Sequence, residues 1–308
     1  MRKVLLATTA LVALGGVSAA SADIAVTASS SFNYVTTNGG AESAEDRDVN
    51  TQVDIAITGS TVLDNGMTVT GMLGFDEATS GQGADGDDAG MTISGDFGTL
   101  AFGGIASASL GAMATDVTAE EGMDLAAEYK NPADEFVPNM DISYAMPSVS
   151  GVSIMLGMVD GDSTATPATE DGSGFGITYT MAGAMPITVN YTSYSTGADA
   201  SDVSSLGAKV SAGAATVVAA VNDSGTYSST SVGATYAVSD VLTLQAYTGS
   251  GEKSDDADYE SELSGVGLTY TVTPGMSVSI TQNDFTGKGG AAGTQSGSRT
   301  AFAVDVSF

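Results

Sequence analysis

Apolar and polar residues alternate along most of this chain. Ile24, Val26, Ala28, Phe32 and Tyr34 fall on one face of an extended segment, with Thr27, Ser29, Ser31 and Asn33 on the other. Successive side chains of a strand point to opposite faces, so this period of two predicts a strand with one apolar side. The next segment sets Val53, Ile55 and Ile57 opposite Gln52, Asp54 and Thr58. The pattern recurs at 67–75, 91–93, 100–102, 140–146, 152–158, 175–181, 187–191, 206–210, 217–221, 232–238, 242–246, 266–272, 276–280 and 302–308. In the 140–146 segment Met140 is in phase with Ile142, Tyr144 and Met146. Sixteen strands are expected.

The connectors sort into two kinds. Seven are tight and built from turn residues, among them Asp64-Asn65-Gly66, Gly95-Asp96-Phe97-Gly98 and Thr273-Pro274-Gly275. Eight are long, at about 35–48, 76–90, 103–138, 160–173, 194–202, 222–229, 248–260 and 282–298. An even-numbered antiparallel barrel with both ends on one side needs this seven-to-eight division, and outer-membrane barrels keep short turns on one rim and long loops on the other. Strand length agrees. Ten residues at about 3.3 Å each, tilted by about 40°, span the ~25 Å apolar band of such barrels. The faces opposite the apolar ones carry Thr, Ser, Asn, Gln, Asp and Gly, an odd filling for a dry core. Lipid outside and water within would explain it.

Composition sharpens this reading. The 308 residues include 40 Gly, which favours strands and turns over helices. With no Cys, His or Trp, the chain lacks thiol chemistry, imidazole metal sites and every Ser/His or Cys/His nucleophile pair. An enzyme is therefore not expected. A formal charge of −29, with only 8 basic residues, excludes a nucleic-acid binder. Disorder is excluded in turn, because 42% of the residues are apolar.

The N-terminus reads as an export signal. Arg2-Lys3 precedes an apolar run from Val4 to Val17 and the small-residue stretch ending Ala20-Ser21-Ala22. The run is shorter than the ~20 residues a spanning helix needs. Residues 1–22 are thus expected to be a signal peptide and 23–308 the barrel.

The stretch Ile93-Ser94-Gly95-Asp96-Phe97-Gly98-Thr99-Leu100-Ala101-Phe102-Gly103 resembles the hairpin before the long third loop of Gram-negative general porins, especially the alphaproteobacterial, Rhodobacter-like type. The final strand, ending in Phe308, resembles the porin terminus read by the barrel-assembly machinery. The resemblance implies a homotrimer of water-filled barrels, each constricted by loop 3 folded into its lumen, in contact with outer-membrane lipid and lipopolysaccharide. One departure stands out. Gly104 and Ile105 occupy the place where the family often has Arg, so part of its basic pore lining is absent or moved.

On that reading the chemistry lies in the segment after Gly103. Residues 104–137 contain Asp116, Glu120, Glu121, Asp124, Glu128, Asp134 and Glu135 against Lys130 alone. A loop this long is functional or disordered. Folded inward, its carboxylates would concentrate cations and repel anions; a solvated surface loop is the bland alternative. Strand phase sends Asp54, Lys209 and Arg299 to the lumen wall, with Gln52, Asn190, Gln245 and Asp305. Lys209 either tunes selectivity or neutralises a neighbouring carboxylate. The acidic turns carrying Asp85 with Asp87 and Asp160 with Asp162 offer hard oxygen ligands for loosely bound Ca²⁺, but lack the spaced Glu of an EF-hand. Exposed acidic loop tips are the competing reading there. No cofactor is expected. The function expected is passive, cation-preferring diffusion of ions and small hydrophilic solutes across the outer membrane. The alternative is a secreted or surface-attached adhesin or S-layer-like protein, which would share the acidity and the lack of cysteine.

Overall fold

A computed structural model of the chain describes residues 23–39, 46–78, 89–103, 108–113, 140–160, 171–196, 202–225, 227–253, 260–288 and 295–308. Its strands are β1 (Asp23–Gly39), β2 (Asp46–Val62), β3 (Thr68–Ala78), β4 (Ala89–Gly95), β5 (Gly98–Gly103), β6 (Ile142–Ala145), β7 (Val152–Val159) and β8 (Gly172–Met181). They continue as β9 (Ile187–Thr196), β10 (Val203–Ala212), β11 (Ala215–Asp223), β12 (Tyr227–Ser239), β13 (Leu242–Lys253), β14 (Glu260–Thr273), β15 (Met276–Lys288) and β16 (Gln295–Ser307). Every strand runs antiparallel to its sequence neighbours, and β16 returns to β1, closing a sixteen-stranded barrel. Closure leaves no unpaired edge, which is what a sheet in hydrocarbon requires.

Register decides which side chains share a face. One continuous row across seven strands reads Tyr236, Leu244, Leu268, Ile280, Phe302, Tyr34 and Val49. All seven are exposed. The row one residue away, on the opposite face, reads Thr235, Gln245, Gly267, Thr281, Ala301, Val35 and Asp48. Here Thr281 and Ala301 are each only 2% exposed. In these rows large apolar residues point outward while small and polar ones face the interior; nearer the long-loop rim Tyr247, Leu263 and Phe285 form a buried inward cluster. A water-soluble fold would forgo about 1.5–3 kcal/mol of burial for each such outward side chain, so hydrocarbon is the solvent that suits this surface.

Three sequence expectations shift. Strands next to several long connectors run further than their apolar alternation, so 222–229 narrows to the residues between Asp223 and Tyr227, and 35–48 to those between Gly39 and Asp46. On β14 the outward positions change from Val266, Leu268, Tyr270 and Val272 to Glu260, Glu262 and Ser264. Above the apolar belt both faces meet water, and the ladder continues without an apolar pattern to reveal it. Conversely, β6 is only 4 residues long and β5 only 6, well short of ten. Met140 is the third change. It precedes β6 and turns inward, 2% exposed, instead of following Ile142 outward.

The short rim is set by glycine. Gly98 opens β5 at φ 115, and a Cβ there would lie 2.2 Å from the carbonyl oxygen of Ala145, so no other residue fits the turn.

Candidate pore constriction and lumen wall

Beyond β5 the chain turns into the barrel. Residues Ala108–Gly111 form one 3₁₀ turn against the inner faces of β7, β8 and β9. Leu110, 1% exposed, fills a seat with Met140 at its side. Glycines make that seat. A Cβ on Gly176 would lie 2.0 Å from the Leu110 carbonyl oxygen, while on Gly174 and Gly157 it would lie 2.7 Å from Leu110 Cδ1 and 2.8 Å from Cδ2. Met113 continues onto β10, where a Cβ on Gly207 would come within 2.8 Å of it. The root of the third loop thus crosses four strands of the wall. Leu110 adopts φ 49, a left-handed conformation uncommon for residues other than glycine, which persists where packing over-determines it.

Beneath this root the wall is polar and sealed. Asn190 and Thr192 are both 0% exposed, and Asn190 Nδ2 donates to Thr178 Oγ1 at 2.8 Å. Lys209 follows Gly207 by two residues and shares its lumenal face, with Thr188 and Val218 opposite it on β9 and β11. It is exposed. Its ammonium group therefore stands in the lumen beside the place that Met113 covers.

The opposite wall carries the other expected charges. In a ring of sixteen, β1 lies eight strands from β9. Asp54 faces the lumen there, accepting from Ser29 Oγ at 3.0 Å and from Gln52 Nε2 at 2.9 Å. Asp305 shares a 430 Å³ recess with Asp54, Ser29, Ser31, Ser277 and Ser307. Arg299 also faces inward and donates from Nε to Thr37 Oγ1 at 3.0 Å. Asp54, Lys209 and Arg299 thus share the lumenal parity of the register.

Asp116, Glu120, Glu121, Asp124, Glu128, Lys130, Asp134 and Glu135 lie outside the described residues, as do Asp85, Asp87, Asp162 and residues 1–22. Asp160 is described: its backbone N–H donates to Asp141 Oδ2 at 2.6 Å, at the exposed end of β7. No group of three or more candidate metal ligands occurs among the described residues. Phe308 projects outward, 77% exposed, and its N–H donates to the Ala28 carbonyl at 2.8 Å, adding a bond to the β1–β16 seam.

The sequence reading missed Leu110, Met113 and the glycine seat. A signal was present: Gly172, Gly174 and Gly176 alternate with Ser173, Phe175 and Ile177, so the inward face of β8 is almost bare backbone.

Comparison with known proteins agrees with this geometry. The anion-selective porin from Comamonas acidovorans superposes with a TM-score of 0.71 at 14% identity, over 94% of this chain and 100% of that one. Two variants of the Rh. blastica porin superpose with TM-scores of 0.70 and 0.69 at 20% identity, over 93% of this chain and 100% of theirs. No curated protein sequence matches significantly. The family model for Gram-negative porins matches residues 7–290. The chain belongs to the Gram-negative porin family and is an outer-membrane channel protein.

Proposed function

We propose that this porin is a passive, cation-preferring channel for ions and small hydrophilic solutes, working as a homotrimer after removal of residues 1–22. The observation that carries the cation preference is the charge of loop 3. Seven carboxylates and one lysine follow Gly103, in a segment whose root is seated on the inner wall. Carboxylates around a narrow aqueous path raise the local cation concentration and repel anions. Asp54 and Asp305 extend the acidic lining to the far wall, while Lys209 and Arg299 oppose it, so loop charge decides the balance.

Reversal potential across a bilayer in a salt gradient is the test. The native channel is expected to pass K⁺ in preference to Cl⁻, and E120Q/E121Q/D124N to lower that ratio. An unchanged potential would refute the constriction assignment without touching the barrel.

A further inference from the structure

The outer wall of β11–β16 is not uniformly convex. A 720 Å³ groove crosses it, floored by Ala234, Ala246 and Val266 and walled by Tyr236, Leu244 and Leu268. Two residues further along the same strands, towards the long-loop rim, a second cavity of 470 Å³ begins. Apart from Val232, its outward-facing lining is polar. Thr230, Thr248, Ser250, Ser264 and Thr286 contribute hydroxyls, and Glu262 and Asp284 contribute carboxylates. None of the described residues that line it is basic. Ser264 lies opposite Asp284 and Thr286 opposite Glu262, which makes the two carboxylates diagonal cross-strand neighbours, within reach of a single bound group. Both are exposed; on the same outward face Lys288 lies opposite Glu260, so β14 and β15 carry Glu260, Glu262 and Asp284 there against one cation.

Apolar groove and acidic pocket together straddle the edge of the apolar belt. From Leu268 to Glu262 the strand covers about 20 Å, or about 15 Å of height at a tilt of about 40°, the depth of one leaflet of a ~30 Å hydrocarbon core. We propose that this face holds one outer-leaflet lipid, its acyl chain in the groove and an ammonium-bearing head group between Glu262 and Asp284. The pocket's charge selects the head group. Carboxylates in excess over Lys288 repel a bare phosphate and attract an N–H donor cation, which surrounding hydroxyls would also solvate. The inference rests on the outer-membrane orientation and is independent of the ion preference of the pore.

The chain has no Trp, so a single reporter is clean. Y236W in phosphatidylcholine vesicles is titrated with chain-brominated phosphatidylethanolamine or phosphatidylglycerol, and fluorescence quenching is read. The ethanolamine lipid is expected to quench at about fivefold lower mole fraction, the factor of one exposed ion pair. E262Q/D284N in the same background is expected to abolish that difference, and A246F, which fills the floor, to weaken quenching by both lipids. Heat-modifiable gel migration verifies that each variant is folded, and conductance verifies that each is open. Equal quenching by the two head groups would overturn the proposal. So would a phosphatidylglycerol preference that requires Ca²⁺, or copy-to-copy disulfide capture through A246C, which would mean a second chain fills the groove. A loss of lipid preference with conductance intact would leave the channel reading standing.

Discussion

Leu110 sits where backbone and side chain both depend on the absence of neighbours. Its carbonyl approaches Gly176 and its methyls approach Gly174 and Gly157, so any side chain at those three positions collides with the loop root. G176A is expected to keep the barrel, whose ladder is untouched, and to displace residues 108–113; single-channel records should show added gating noise and an altered unit conductance. L110A should act in the same direction by emptying the seat. Burial-to-void losses of this kind run to about 2–5 kcal/mol in protein cores, enough to loosen a loop root. Native-like, quiet records from both variants would show that the seat does not hold the constriction. The glycine pattern was legible in the sequence, but its occupant was not. Nothing about Leu110 distinguishes it from an ordinary apolar loop residue until the fold brings it to β8.

At the scale of the strand, sequence and structure agree most closely where a physical boundary forces the pattern. Lipid on one side and water on the other impose strict alternation, which is why Val304, Phe302 and Ile280 could be assigned outward from phase alone. Where that asymmetry ends, legibility ends with it. The polar upper turns of β13 to β16 look like loop in sequence, yet they remain hydrogen-bonded strand. Met140 fails for a related reason, because it lies just before β6, where inward packing against Leu110 outweighs continuation of the phase. V304R should impair insertion, since a cationic side chain near mid-bilayer costs about 2–4 kcal/mol on a barrel's lipid face. T300R, on the same face near the polar rim, is expected to cost about 0–1 kcal/mol and to assemble normally. The two are compared by the folded fraction on unheated gels, and equal behaviour would contradict the assigned faces.

For the whole molecule, closure of β1 on β16 is the step that removes the last sheet edge, and Phe308 bonds into that seam. Deleting Phe308 is expected to slow the appearance of folded protein in the membrane after induction; wild-type kinetics would separate this terminus from assembly. The described loop root, residues 108–113, sits on β7–β10, whereas the seam strands β16, β1 and β2 carry the serine and aspartate recess on the far side. The described loop root thus narrows the lumen from the side away from the seam. Because the protein contains no cysteine, that asymmetry can be mapped with thiol tags. A bulky methanethiosulfonate reagent should block much of the current through D305C, exposed in that recess, and leave T178C, shielded under the loop root, nearly unreacted. The passage would then be a one-sided gutter, with solutes travelling along the line where the sheet meets itself.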